Sequence, residues 1–96
     1  MRDAPATAFI WYHAEAELEA ELQRWVRQTG HGLSIGARLM IRRQADRTTF
    51  MEIYELPADC DPDSFVMQIE QQAGRQPWFE RLQSPRRAEL FTPSNA

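Results

Sequence analysis

The feature that most constrains this chain is the order in which its hydrophobic periodicity changes. Residues 8–13, Ala-Phe-Ile-Trp-Tyr-His, form a short aromatic and branched run with the composition of a strand that is apolar on both faces. Over residues 15–29 the apolar Leu18, Leu22, Trp25 and Val26 recur at helical spacing. Glu15, Glu17, Glu19 and Glu21 fall in the first turns of that helix and Arg24 and Arg27 in the last, the ends its dipole favours for each sign. Gly30 stands where a left-handed cap would close it. The acidic run is thus a solvated helix start rather than a ligand set. Residues 35–43 alternate, with Ala37, Leu39 and Ile41 on one side and Arg38, Met40 and Arg42 on the other. After a polar break, residues 48–55 alternate again, Met51 and Ile53 out of phase with Phe50, Glu52 and Tyr54, so the two runs read as a hairpin. Asp61-Pro62-Asp63-Ser64 is an N-cap with proline at the first helical position, leading into Phe65, Val66, Ile69 and Ala73 and ending near Gly74. Residues 76–85, with Trp78, Phe79 and Leu82, predict a short helical turn over one end of the core, and residues 86–91 a last strand.

Strand, helix, strand, strand, helix, strand is the split β-α-β order, which predicts an α+β, ferredoxin-like β-α-β-β-α-β sandwich. Its sheet would be four-stranded and antiparallel, in the order 4-1-3-2, with both helices on one face. Arg38, Arg42, Arg43, Arg86, Arg87 and Glu89 fall on the two edge strands, which tolerate charge. With 96 residues there is room for a single domain, with a core over about residues 8–92 and frayed ends at 1–7 and 93–96. A hydrophobic fraction of 43% and a charged fraction of 26% are those of a globular chain. No segment is long and apolar enough to span a membrane, and the first residues lack a signal-peptide layout. A cytoplasmic location follows as an expectation, in keeping with the single cysteine, Cys60, which has no partner for an internal disulfide. A net charge of −3 argues against nucleic acid, as does the missing basic RNP pattern. All eleven basic residues are arginine, from which no function follows.

Period-two alternation assigns Ile10, Leu39, Ile41, Met51, Ile53, Ala88 and Leu90 to the helix-covered face of the sheet. The open face receives Phe9, Trp11, His13, Arg38, Met40, Arg42, Phe50, Glu52, Tyr54, Arg87, Glu89 and Phe91. An aromatic patch of that kind exceeds what monomers leave in water, and a second copy of the chain is the simplest cover, giving a homodimer. The same assignment sets a register: Met51 faces Ile41, Ile53 faces Leu39, Phe50 faces Arg42, Glu52 faces Met40 and Tyr54 faces Arg38, around a loop Ala45-Asp46-Arg47. Glu52 then has Arg38 and Arg42 as diagonal neighbours.

The runs ARLMIRR (37–43), TTFMEIYE (48–55) and RRAELF (86–91) resemble a bacterial family known as domain of unknown function 4936. The resemblance covers nearly the whole chain. It implies a fold similar to dimeric α/β barrels and implies no activity. The family pattern carries Arg at the position of His13, Trp at that of Phe50 and His at that of Arg87, so this chain departs from it at three positions assigned to the open face.

The most chemically loaded group is Arg38, Glu52 and Tyr54, with His13, Arg87 and Glu89 on the same side. One reading makes Arg38 or Arg87 an anchor for an anion, with Glu52 or His13 as proton acceptor. The other makes these residues the polar rim of a dimer interface. Trp11, Phe50 and Tyr54 would line an apolar pocket or form the interface core. His13 has no second histidine at metal-ligand spacing, and no nucleophile–base pair or glycine-rich phosphate loop occurs, so neither metal nor cofactor is expected. The expected function is a homodimeric small-molecule binding or interaction module. The alternative is a cofactor-independent enzyme, oxygenase-like or isomerase-like, acting on a small aromatic or acidic metabolite.

Overall fold

The computed structural model describes residues 5–94. The chain is α+β, running β1 (Ala6–His13), α1 (Glu19–Leu33), β2 (Gly36–Arg43), β3 (Thr48–Leu56), α2 (Pro62–Ala73) and β4 (Arg87–Phe91). Short 3-10 turns at Ala16–Leu18 and Phe79–Arg81 precede α1 and β4. The four strands form one antiparallel sheet in the order β2-β3-β1-β4. Leu22, Trp25 and Val26 of α1 and Phe65, Ile69 and Ala73 of α2 join one buried cluster with Ala8, Ile10, Tyr12, Phe50 and Tyr54. Only one parity of each central strand enters it, so both helices cover the same face of the sheet.

Local rules account for most element ends. The Asp61 carboxylate accepts from the Ser64 backbone N–H at 2.9 Å and Pro62 opens α2, as expected. Asp61→Ala is expected to lower stability by ~0.5–2 kcal/mol in urea unfolding. The first helix runs past its expected end. Gly30 lies inside α1, and a Cβ there would come within 2.8 Å of the Ala37 Cβ, so the glycine lets α1 lie close on β2. The cap is Ser34 instead, left-handed at φ 55°, with its N–H and that of Ile35 donating to the His31 and Gly30 carbonyls. At the N-terminus β1 begins at Ala6, which is buried, so Ala6 and Thr7 belong to the sheet and not to a frayed end. Residues 1–4 and 95–96, also expected to fray, lie outside the described residues.

The hairpin register differs from the expected one by a single residue, and this changes the site. Leu39 faces Glu52, Ile41 faces Phe50, Met40 faces Met51 and Arg38 faces Ile53. The loop spans residues 44–47 and is closed by the Gln44 N–H donating to the Arg47 carbonyl at 2.9 Å. A one-residue slip moves a whole strand's side chains to the other face. Phe50, Glu52 and Tyr54 therefore point at the helices, and Met51 and Ile53 at the open face. Pairing with β1 explains the choice: Tyr12 faces Phe50, Ile10 faces Glu52 and Ala8 faces Tyr54, which puts the larger aromatic rings of β3 in the core. For β1, β2 and β4 the expected faces hold.

Candidate functional site

Two places concentrate the side chains with chemical potential, one on each face of the sheet. Beneath the sheet, Glu52 of β3 is 0% exposed. A lone buried carboxylate would be prohibitive, so its partners decide whether the fold tolerates it. Its Oε1 accepts from the Tyr54 hydroxyl at 2.7 Å, the Trp25 Nε1–H at 3.2 Å and Arg86 Nη2 at 3.1 Å. Its Oε2 accepts from the Tyr12 hydroxyl at 2.6 Å and Arg86 Nη1 at 2.7 Å. The Arg86 Nε–H is shared by the two carboxylate oxygens of Glu70 on α2, at 2.9 and 3.0 Å. The guanidinium lies 5.1 Å from the centroid of the Tyr12 ring and 5.7 Å from that of Trp78. The cluster thereby ties β1, α1, β3, α2 and the segment leading into β4 to one point.

Electrostatics follow from this packing. Burial, then the Glu52 charge and hydrogen bond, push both phenols, Tyr12 and Tyr54, far above their ordinary value near 10. For Arg86 burial acts against the charge, and the hydrogen bonds and charge of Glu52 outweigh it, so its pKa rises. Among the described residues no buried side-chain polar atom lacks a hydrogen-bond partner. Every polar atom of the Glu52 cluster is committed, which suits holding the fold rather than moving a proton to a substrate.

On the open face the register arranges the side chains in rows across the sheet, from β2 through β3 and β1 to β4. Met40, Met51, Trp11 and Arg87 form one row, and Arg38, Ile53, Phe9 and Glu89 the next. Beyond them lie Arg42, Thr49 and His13 on one side, and Glu55, Thr7 and Phe91 on the other. Arg87 sits over the Trp11 ring at 5.4 Å, Phe9 and Phe91 meet edge to face at 5.5 Å, and His13 Nδ1 is 3.0 Å from Thr49 Oγ1. The centre of the face is apolar, with charge on the two edge strands and on Glu55 at one end of β3. Met40 is 53% exposed and Phe91 57% exposed.

Of the residues expected to act together, Trp11, His13, Arg38, Arg42, Arg87 and Glu89 share the open face. Phe50, Glu52 and Tyr54 are in the core instead, on the opposite side of the sheet from Arg38 and Arg42, so the expected Arg38–Glu52–Tyr54 group does not assemble. Arg86 takes the place of both arginines as the partner of Glu52. Sequence reasoning missed Tyr12, Trp25, Glu70, Trp78 and Arg86. The available signal was Glu52 itself, a carboxylate flanked by Phe50 and Tyr54 in a central strand, which demands a buried cation and donors from elsewhere.

A groove of about 500 Å³ lies between the helices, floored by Trp25, Phe65 and Ile69 and rimmed by Gln28, Gln68 and Gln72. Among the described residues no group of three or more His, Cys, Asp or Glu side chains is placed to hold a metal ion. No helix among them is long and apolar enough to cross a membrane. Compared with known proteins, the chain matches no family model and no curated protein sequence.

Proposed function

We propose that this chain is a small ferredoxin-like domain of the dimeric α/β-barrel kind, akin to the domain of unknown function family 4936. It acts as a non-catalytic interaction module whose open sheet face binds a second copy of itself. The observation that carries this reading is the apolar centre of the open face, Met40, Met51, Trp11, Ile53, Phe9 and Phe91, bordered by charge on β2 and β4. That is the layout of an interface with an apolar core and a polar rim. The element order and the β2-β3-β1-β4 sheet support the fold assignment. The complete satisfaction of the Glu52 cluster supports a non-catalytic role.

Charge favours a second copy as the occupant. A two-fold axis lying between the sheets and parallel to the strands lays β2 over the other subunit's β4. The row of Arg38, Ile53, Phe9 and Glu89 then lies on itself in reverse, with Arg38 over the partner's Glu89 and Ile53 over the partner's Phe9. An axis across the strands would instead gather Arg38 and Arg42 of both copies at one edge.

Sedimentation equilibrium at micromolar concentration should give twice the chain mass of 11.2 kDa. Trp11→Glu, which places a charge at the centre of the face, should give folded monomer with unchanged far-ultraviolet circular dichroism. A wild-type chain that sediments as a monomer at tens of micromolar overturns the proposal.

A further inference from the structure

Arg86 meets the rest of the chain as a ligand meets its receptor. The residue as a whole is only partly buried, yet its side chain is 2% exposed. Glu52 takes the guanidinium by its two terminal nitrogens, at 2.7 and 3.1 Å, in the fork-to-fork geometry that selects guanidinium over ammonium. Glu70 takes the Nε–H, which marks the group as singly alkylated. The rings of Tyr12 and Trp78 supply the cation–π contacts. Two walls of the slot, Glu52 and Trp78, are held by groups other than Arg86. The Glu52 carboxylate is also held by Tyr12, Tyr54 and Trp25, which come from β1, β3 and α1, and Trp78 is fixed edge to face against Trp25 at 5.4 Å.

We propose that the slot bounded by Glu52, Tyr12, Trp78 and Glu70 is a binding site for monoalkylguanidinium groups, filled in the native chain by Arg86, and that it takes up a free alkylguanidinium when that side chain is removed. Docking of the edge strand β4 is then a recognition event within the chain, with Arg86 as the ligand. It is independent of what covers the open face.

Arg86→Ala deletes the atoms from Cγ to the guanidinium, which are those of ethylguanidinium. Millimolar ethylguanidinium should raise the thermal midpoint of Arg86→Ala with the logarithm of its concentration above the dissociation constant, by about 5 °C or more at ten times that constant. It should leave the wild type unchanged, and ethylammonium, with the same charge but no fork, should do nothing. If Arg86→Ala is unfolded without ligand, the same result reads as the return of its near-ultraviolet circular dichroism on addition of ethylguanidinium. The double variant Glu52→Gln/Arg86→Ala no longer buries an uncompensated carboxylate, so it should melt higher than Arg86→Ala alone and show no response to ethylguanidinium. A missing response in Arg86→Ala, an equal response to ethylammonium, or a response that survives in the double variant overturns the proposal.

Discussion

Glu52→Ala is expected to lose ~3–5 kcal/mol of folding stability, whereas Glu19→Ala is expected to lose less than ~1 kcal/mol. The two carboxylates make ion pairs of nearly equal length, 2.7 Å from Glu52 to Arg86 and 2.6 Å from Glu19 to Arg43. Burial separates them. The side chains of the Arg86–Glu52 pair are 2% and 0% exposed, against 59% and 45% for Arg43–Glu19. On the surface, water replaces a lost partner and salt screens what the pair contributed. In the core, removing Glu52 leaves the Tyr12 and Tyr54 hydroxyls and the Trp25 N–H without an acceptor, and Arg86 with only Glu70, whose side chain is 33% exposed. Domains of this size are stable by roughly 5–15 kcal/mol, so the loss is a large share of the whole. Urea unfolding of both variants gives the comparison, and equal shifts of the midpoint would mean that Glu52 is not the hub of the core.

Where sequence reasoning succeeded and where it failed follows from the range of the forces involved. The helix start at Asp61-Pro62, the alternation of β2 and the faces of β1 and β4 rest on neighbours within a few residues, and each is as the pattern implies. The phase of β3 does not rest on near neighbours. Phe50 and Tyr54 on one parity and Met51 and Ile53 on the other are both apolar enough for a core, and Glu52 tips a local reading toward solvent. The donors that reverse this stand at residues 12, 25 and 86, on three other segments. Arg86 looked like an ordinary charge at the start of an edge strand, and nothing beside it in sequence shows that its side chain turns inward. Gly30 misled for a related reason. A glycine near a helix end suggests a cap, but here its missing side chain is used for contact with Ala37, one segment away. The open face fared better because Trp11, His13, Arg38, Arg42, Arg87 and Glu89 lie on strands whose phase was unambiguous.

Raising the pH above 10 should unfold this chain steeply, and its two tyrosines should ionise only as it does so. Tyr12 and Tyr54 are the only tyrosines in the sequence, and both hydroxyls are buried against the Glu52 carboxylate. Burial first, and the Glu52 charge second, raise their folded-state pKa values far above the ordinary one. In the unfolded chain the phenols titrate near 10. Above that pH the unfolded state releases protons that the folded state keeps, so stability is complete below pH 10 and falls as the pH climbs toward the raised folded values. Each phenol contributes a slope of about 1.4 kcal/mol per pH unit, so the pair removes roughly 5 kcal/mol by pH 12. The chain has no lysine, so the phenols dominate proton release in this window. Tyrosinate absorbance at 295 nm should therefore rise together with the loss of far-ultraviolet circular dichroism, in one transition. Tyr54→Phe, compared at pH values where it is still folded, should show about half the dependence of unfolding free energy on pH between 10 and 12. Absorbance at 295 nm that rises near pH 10 while the helical signal persists would place at least one phenol in water and dismantle the Glu52 cluster as described.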